Sequence, residues 1–162
     1  MRKRFTLVGA GALGAAAVAV GIWLIWFRLP YGLADSPSVD VTVRAEKSEY
    51  QDVEETTEDV DTLVRVYVQR LKAEDAEGLA RLAGPDYDRP GPEARGLVRE
   101  YGAGARGRVE ATVLESDVPY FNQVELAYEK TGKRQKLLLV RDERNWWIAI
   151  GEGDPAAGLE AR

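Results

Sequence analysis

The sequence predicts an α+β protein with an apolar segment at its N-terminus. From Val60 to Tyr101, apolar residues recur at helical spacing, whereas after Gly107 they alternate with polar residues as in β-strands. Helical segments precede all of these strands, which is typical of an α+β domain. The segment Phe5–Phe27 contains no charged residue. At about 1.5 Å per residue it is long enough to cross a hydrocarbon core of roughly 30 Å. We therefore predict a transmembrane helix, three further helices and a four-stranded antiparallel sheet.

The charges around the apolar segment predict its orientation. Basic residues occupy positions 2–4, and only Arg28 follows the segment closely. The positive-inside rule predicts a cytoplasmic tail over residues 1–4, a transmembrane helix over residues 5–28 and an extracytoplasmic location for the rest. The alternative is a signal peptide cleaved after Ala34, but the apolar cores of signal peptides usually run to about 7–15 residues. The segment therefore favours an uncleaved anchor in the cell membrane.

The composition excludes several classes of chemistry. The chain has 162 residues with neither cysteine nor histidine, so disulfides, thiol catalysis and histidine-based acid–base or metal chemistry are excluded. Its formal net charge is −5, and residues 35–61 hold 10 acidic and 2 basic residues. The remainder is nearly neutral and has no basic face suited to nucleic acid. We therefore expect a protein without catalytic residues, metal, cofactor or nucleic-acid partner.

Residues 29–55 are predicted to be an acidic extracytoplasmic linker. Proline and glycine follow the apolar segment, and acidic residues dominate the stretch that comes after them. Val39, Val41 and Val43 alternate with polar residues, so a short strand and an extended stalk are both consistent with the pattern. The folded domain is predicted over residues 56–152, followed by a flexible tail over residues 153–162.

Three helices are predicted in the first half of this domain. One apolar stripe defines the first helix, and its members are Val60, Leu63, Val64, Tyr67 and Leu71. We expect Thr56 or Thr57 to be its N-cap. Asp75 is expected to cap a short second helix, and Pro92 is expected to open the third.

Four strands with a period of two are predicted in the second half. The first covers residues 109–113, where three apolar residues alternate with polar ones. The others are expected over Tyr120–Glu129, Lys133–Arg141 and Trp146–Ile150, with short polar turns between them. This order predicts an antiparallel meander.

Two stretches of sequence carry a family resemblance. LKAEDAEGLARLAGPD (residues 71–86) follows the first helix, and NWWIAIGE (residues 145–152) ends the meander. Together they resemble the NTF2-like (cystatin-like) domain, which implies a cone in which a curved sheet wraps around the helices. With the membrane anchor, the chain also resembles VirB8-like components of secretion machines and Mce-associated membrane proteins, which implies a non-enzymatic role in an assembly.

The resemblance also suggests a pocket and a function. Enzymes of the superfamily use Asp, Tyr or His around the interior of the cone, where Tyr67, Tyr101, Tyr128 and Trp147 are candidate pocket residues here. No acid in register with them is identifiable, so we predict that the protein is not an enzyme. The leading hypothesis is a membrane-anchored interaction or scaffold domain of a bacterial envelope or secretion assembly. The alternative is a module that binds a small apolar ligand inside the cone.

A continuous apolar run in the third predicted strand indicates an interface. Residues 137–140 are apolar at every position, so both faces of the strand require cover. The helices can cover only one face of the sheet, and Leu138, Leu139 and Val140 are the candidate interface residues for an envelope protein or a second copy. Because strand side chains alternate, Trp146 and Trp147 should point to opposite faces, with one against the helices.

Overall fold

A computed structural model of the protein describes residues 38–48, 52–84, 87–88, 90–142 and 145–150. The elements in chain order are β1 (Val41–Ala45), α1 (Asp52–Lys72), α2 (Ala76–Ala80), α3 (Pro90–Tyr101), a 3₁₀ turn (Gly104–Arg106), β2 (Val109–Val113), β3 (Phe121–Tyr128), β4 (Lys133–Asp142) and β5 (Asn145–Ile148). In this part of the chain, three helices accompany a five-stranded mixed sheet that forms a half-barrel.

The sheet differs from the prediction of four antiparallel strands. Its order is β1-β2-β3-β4-β5, and β1 pairs in parallel with β2 while the other neighbours are antiparallel. The extra strand lies inside the predicted linker over residues 29–55, so the fold begins before Thr56. Parallel pairing requires a long crossover connection, and the three helices between β1 and β2 supply it. The α+β class and the three helices agree with the prediction.

β1 is held by α1 as well as by β2. Nη1 of Arg65 donates to the backbone carbonyl of Val41 at 2.8 Å. Nε and Nη2 of Arg65 donate to the Asp61 carboxylate at 2.8 and 3.0 Å. The hydrogen bond to Asp61 raises the pKa of Arg65 above its usual value, although burial opposes this change. A charged side chain of α1 therefore anchors the strand that the sequence pattern left undecided.

The helices begin where charged and capping residues favour a helix N-terminus, and the apolar stripe alone does not specify these positions. α1 begins at Asp52, ahead of the predicted N-cap, and the Thr57 hydroxyl donates to the carbonyl of Val53 at 2.6 Å inside the helix. Acidic residues in its first turn favour this earlier start, because the helix dipole is positive at the N-terminus. The predicted cap at Asp75 is confirmed: its Oδ1 accepts from the backbone N–H of Gly78 at 2.8 Å.

The membrane prediction is corrected. The proposed cytoplasmic tail (1–4), transmembrane helix (5–28), cleavage site and C-terminal tail (153–162) all lie outside the described residues. In the part of the chain that the structure describes, no helix has the length and apolar character needed to cross a membrane. α1 has 21 residues, but charged side chains cover its exposed side. The single-pass, extracytoplasmic assignment is therefore not kept.

Burial alternates along the strands and distinguishes the two faces of the sheet. In β2 and β3 every second residue is buried, and β4 shows the same alternation at its centre. We call the side that contacts the helices the inner face and the opposite side the outer face. Leu139 and Trp146 lie on the inner face, with 0% and 4% of their surface exposed. Leu138 and Trp147 lie on the outer face and are partly exposed, so the predicted separation of the two tryptophans is confirmed.

Candidate functional site

Three of the predicted pocket residues meet on the inner face. Nε2 of Gln135 donates to the Tyr67 hydroxyl at 2.7 Å, and the Tyr128 hydroxyl donates to Oε1 of Gln135 at 2.6 Å. The ring of Tyr101 stacks on that of Tyr128, with centroids 5.3 Å apart and planes inclined by 19°. None of these tyrosines has more than 2% of its surface exposed. The three rings, carried by α1, α3 and β3, therefore form part of the core.

The fourth predicted pocket residue is separate from this cluster. Trp147 lies on the outer face, opposite the tyrosines, because its neighbour Trp146 takes the inward position of β5. A Cβ atom placed on Gly84 would lie 3.6 Å from Cβ and Cγ of Trp147, so the coil after α2 covers part of this side chain.

The residue that links the tyrosines was not identified in the sequence. Gln135 is buried, with 2% of its surface exposed, and occupies the same register as Leu137 and Leu139 on β4. The sequence does contain a signal for Gln135: it is a polar residue that alternates in register with the apolar residues Leu137 and Leu139. A polar side chain at such an inward position needs a buried hydrogen-bond partner, which here is supplied by the tyrosines. A pocket-lining role for the tyrosines stays a prediction.

The outer face carries a contiguous apolar patch, which we call the outer patch. Its members are Phe121, Leu138, Val140, Trp147 and Ala149. Val140 stands between Phe121 on β3 and Trp147 on β5, because it pairs directly with both. In the neighbouring row, the backbone N–H of Ala149 donates to the carbonyl of Leu138 at 2.9 Å. Three adjacent strands therefore contribute to one apolar surface.

Exposure separates the three predicted interface residues. Val140 is 41% exposed and Leu138 is partly exposed, whereas Leu139 is fully buried on the inner face. The inclusion of Leu139 in the interface is therefore corrected, because the alternation of β4 turns it toward the helices. Leu138 and Val140 lie where an approaching surface can contact them.

Charged and neutral residues share the rest of the outer face, and the two signs are balanced among the described strand residues. Three basic and three acidic side chains share this face: Arg44, Arg134, Lys136, Glu110, Glu125 and Asp142. Nη2 of Arg44 lies 2.7 Å from Oε1 of Glu110, and Nζ of Lys136 lies 3.3 Å from Oε1 of Glu125. The described strand residues of the outer face therefore carry no net formal charge.

The described residues show no grouping of three or more acidic side chains that is close enough to hold a metal ion.

Comparison with known proteins finds no matching family model, curated protein or solved structure. The resemblance to NTF2-like domains stays a prediction.

Proposed function

We propose that this chain is an interaction domain that pairs with a second copy of itself through the outer face of its sheet. The observation that carries the proposal is the row Phe121–Val140–Trp147 across three adjacent strands, with Val140 at its centre 41% exposed. Single exposed apolar residues are normal, but a contiguous patch of them more often marks an interface.

The size of the outer face suits an interface between two copies. For five strands of about six residues, the usual strand spacing and rise give a face of roughly 24 Å by 20 Å. With the relief of the side chains, this is on the order of the roughly 800 Å² that each partner buries in a standard interface. A two-fold axis near Val140 would place the outer patch of one copy against the same patch of the other.

The charge of the outer face also favours a second copy. Because its basic and acidic side chains balance, two identical faces do not repel each other through net charge. The charged pair Lys136–Glu125 borders the outer patch beside Leu138, and the pair Arg44–Glu110 lies farther along the sheet on β1 and β2, so both belong to its polar rim. An apolar centre with a polar rim is the usual anatomy of a protein interface.

The alternative of a small-ligand module inside the half-barrel has less support. The hydroxyls of Tyr67 and Tyr128 already bond to Gln135, and the Tyr101 ring already stacks on Tyr128. These groups satisfy one another, as core side chains do.

Substituting Val140 by glutamate should abolish pairing without unfolding the protein. Val140 is already 41% exposed, so its charge stays solvated in one copy, whereas pairing would bury two like charges beside each other. We expect the dissociation constant of the pair to rise by roughly 100-fold or more. Sedimentation velocity of the full chain over a range of concentrations measures this change, with circular dichroism to check the fold.

Ala73→Glu is the matched control, because Ala73 is exposed directly after α1, which packs on the inner face and not on the outer face. This control should pair as the parent chain does. A parent chain that stays monomeric at high concentration would contradict the proposal, as would pairing that survives Val140→Glu.

A further inference from the structure

A strongly acidic cleft lies between the N-terminal part of α1 and the loop that joins β2 to β3. Its volume is ≈ 520 Å³, which is within the range of small-ligand sites. Five carboxylates line it: Asp52, Glu55, Asp59, Glu115 and Asp117. Among the described residues that line the cleft, Arg141 is the one basic side chain, so their summed formal charge is −4.

The helix dipole explains only part of this acidity. Asp52 and Glu55 lie in the first turn of α1, where negative charge is favourable. Asp59 lies beyond that turn, and Glu115 and Asp117 come from a different element, yet they line the same cleft. Charges of one sign held together in this way repel each other unless a cation joins them.

Internal partners neutralise little of this charge. Nη1 of Arg141 lies 4.0 Å from the Asp59 carboxylate, at the limit of an ion pair, and its guanidinium also lies over the Trp146 ring, 5.7 Å from the centroid. Glu115 accepts a hydrogen bond from the Ser48 hydroxyl at 2.8 Å. Asp52, Glu55 and Asp117 form no ion pair with any described residue.

A second, independent observation indicates a ligand at this place. Asn122 lines the cleft at the start of β3 and is only 5% exposed. Its Oδ1 is buried, and no described group donates a hydrogen bond to it. A buried amide oxygen without a donor is unfavourable and rare in folded proteins. The amide can turn about its soft terminal torsion and present this oxygen to a donor in the cleft.

The lining also contains apolar surface. Val53, Val118 and Pro119 lie in the same cleft as the carboxylates. A lysine or arginine side chain has a matching shape, with an apolar stem and a charged head that only donates hydrogen bonds. A bare metal ion does not suit the site, because no three acids within the described residues are close enough to hold one.

We propose that this cleft binds an extended cationic ligand that carries ammonium or guanidinium groups on apolar stems. The carboxylates attract the charged heads, the apolar wall contacts the stems, and Asn122 accepts a hydrogen bond from one head. A basic peptide segment and a free polyamine both have this chemistry. The proposal is independent of pairing through the outer patch, which uses the other face of the sheet.

Isothermal titration of the full chain with tetralysine and with spermidine, at low and moderate salt, tests the proposal. We expect at least one probe to bind, and the probe that binds more tightly distinguishes a peptide segment from a free amine. The double variant Glu55→Gln/Asp117→Asn should weaken binding by roughly ten-fold. Glu129→Gln, an exposed acid in the β3–β4 turn, should leave binding unchanged.

Asn122→Leu separates a specific site from general attraction between opposite charges. It changes no charge and removes a buried amide, so the urea midpoint should stay equal or rise, while binding should weaken by roughly three-fold or more. Failure of both probes to bind at low salt would overturn the proposal. The proposal would also be overturned if Glu129→Gln weakened probe binding as much as the double variant does. It would be overturned as well if the Asn122→Leu variant bound the probe as tightly as the parent chain.

Discussion

Replacing Trp146 by alanine is expected to lower the free energy of unfolding by about 3–5 kcal/mol, the range for a large aromatic removed from a core. Trp146 is 4% exposed on the inner face of β5, and the Arg141 guanidinium lies over its ring. For a domain of about 100 residues, the loss corresponds to a fall in Tm of roughly 15–30 °C. Urea unfolding followed by circular dichroism measures it without depending on tryptophan fluorescence.

Two controls make this test specific to the inward position. Trp147→Ala removes the same side chain from the partly exposed outer face and should cost only about 1–2 kcal/mol. Trp146→Phe keeps most of the packing and removes an indole N–H that is buried without a described partner, so it should cost less than Trp146→Ala. Equal losses for the two alanine variants would refute the placement of β5.

Replacing Gln135 by leucine is expected to lower the free energy of unfolding by about 2–4 kcal/mol, because it removes two buried hydrogen bonds at once. Leucine fills a similar volume, so the loss comes from the hydroxyls of Tyr67 and Tyr128, which lose Gln135 as a partner. Urea unfolding measures the single variant against the parent chain.

The triple variant Gln135→Leu/Tyr67→Phe/Tyr128→Phe is the decisive control. The triple variant removes both hydrogen bonds together with the groups that form them, which costs less than removing Gln135 alone, so it should recover most of the loss. Strictly additive losses would show that the three side chains do not form one energetic network.

The sequence predicts the helices and antiparallel strands because their signals are local. The stripe through Leu63 and Tyr67 and the alternation of β2 and β3 depend on residues close in sequence. β1 has the same alternation, but its pairing with β2 joins residues 68 positions apart, such as Val41 and Val109. No local pattern distinguishes such a strand from an extended stalk.

The functional surfaces were predicted less completely, also for physical reasons. Side chains alternate between the two faces of a strand, but in an unbroken apolar run this alternation does not show which of Leu138 and Leu139 faces outward. The pairing of β4 with β3 and β5 decides it. The acidic cleft combines α1 with the β2–β3 loop, which are far apart in sequence. The acidic residues up to position 55 are predicted as linker, because no local pattern indicates that Asp117 and Asn122 lie beside them.

The two proposed surfaces are compatible with each other in one protein. Val140 and Trp147 point to the outer face, whereas Asn122 shares the inward register of Leu139. A pair formed through the outer patch would therefore use side chains that do not line the acidic cleft. Such a pair would offer two cationic-ligand sites, which suits a domain that brings partners together.

The most direct test of pairing uses the absence of cysteine from the chain, because one introduced thiol is then the only one present. In a symmetric pair, identical residues meet only near the two-fold axis, and a disulfide needs Cβ atoms about 3.5–4.5 Å apart. Val140→Cys and Leu138→Cys, each in the full chain, are oxidised and run on non-reducing gels, with Ala73→Cys as the control. We predict a reducible dimer from at least one outer-patch variant and none from Ala73→Cys. Monomers from both outer-patch variants, or equal dimer from Ala73→Cys, would contradict pairing through this face.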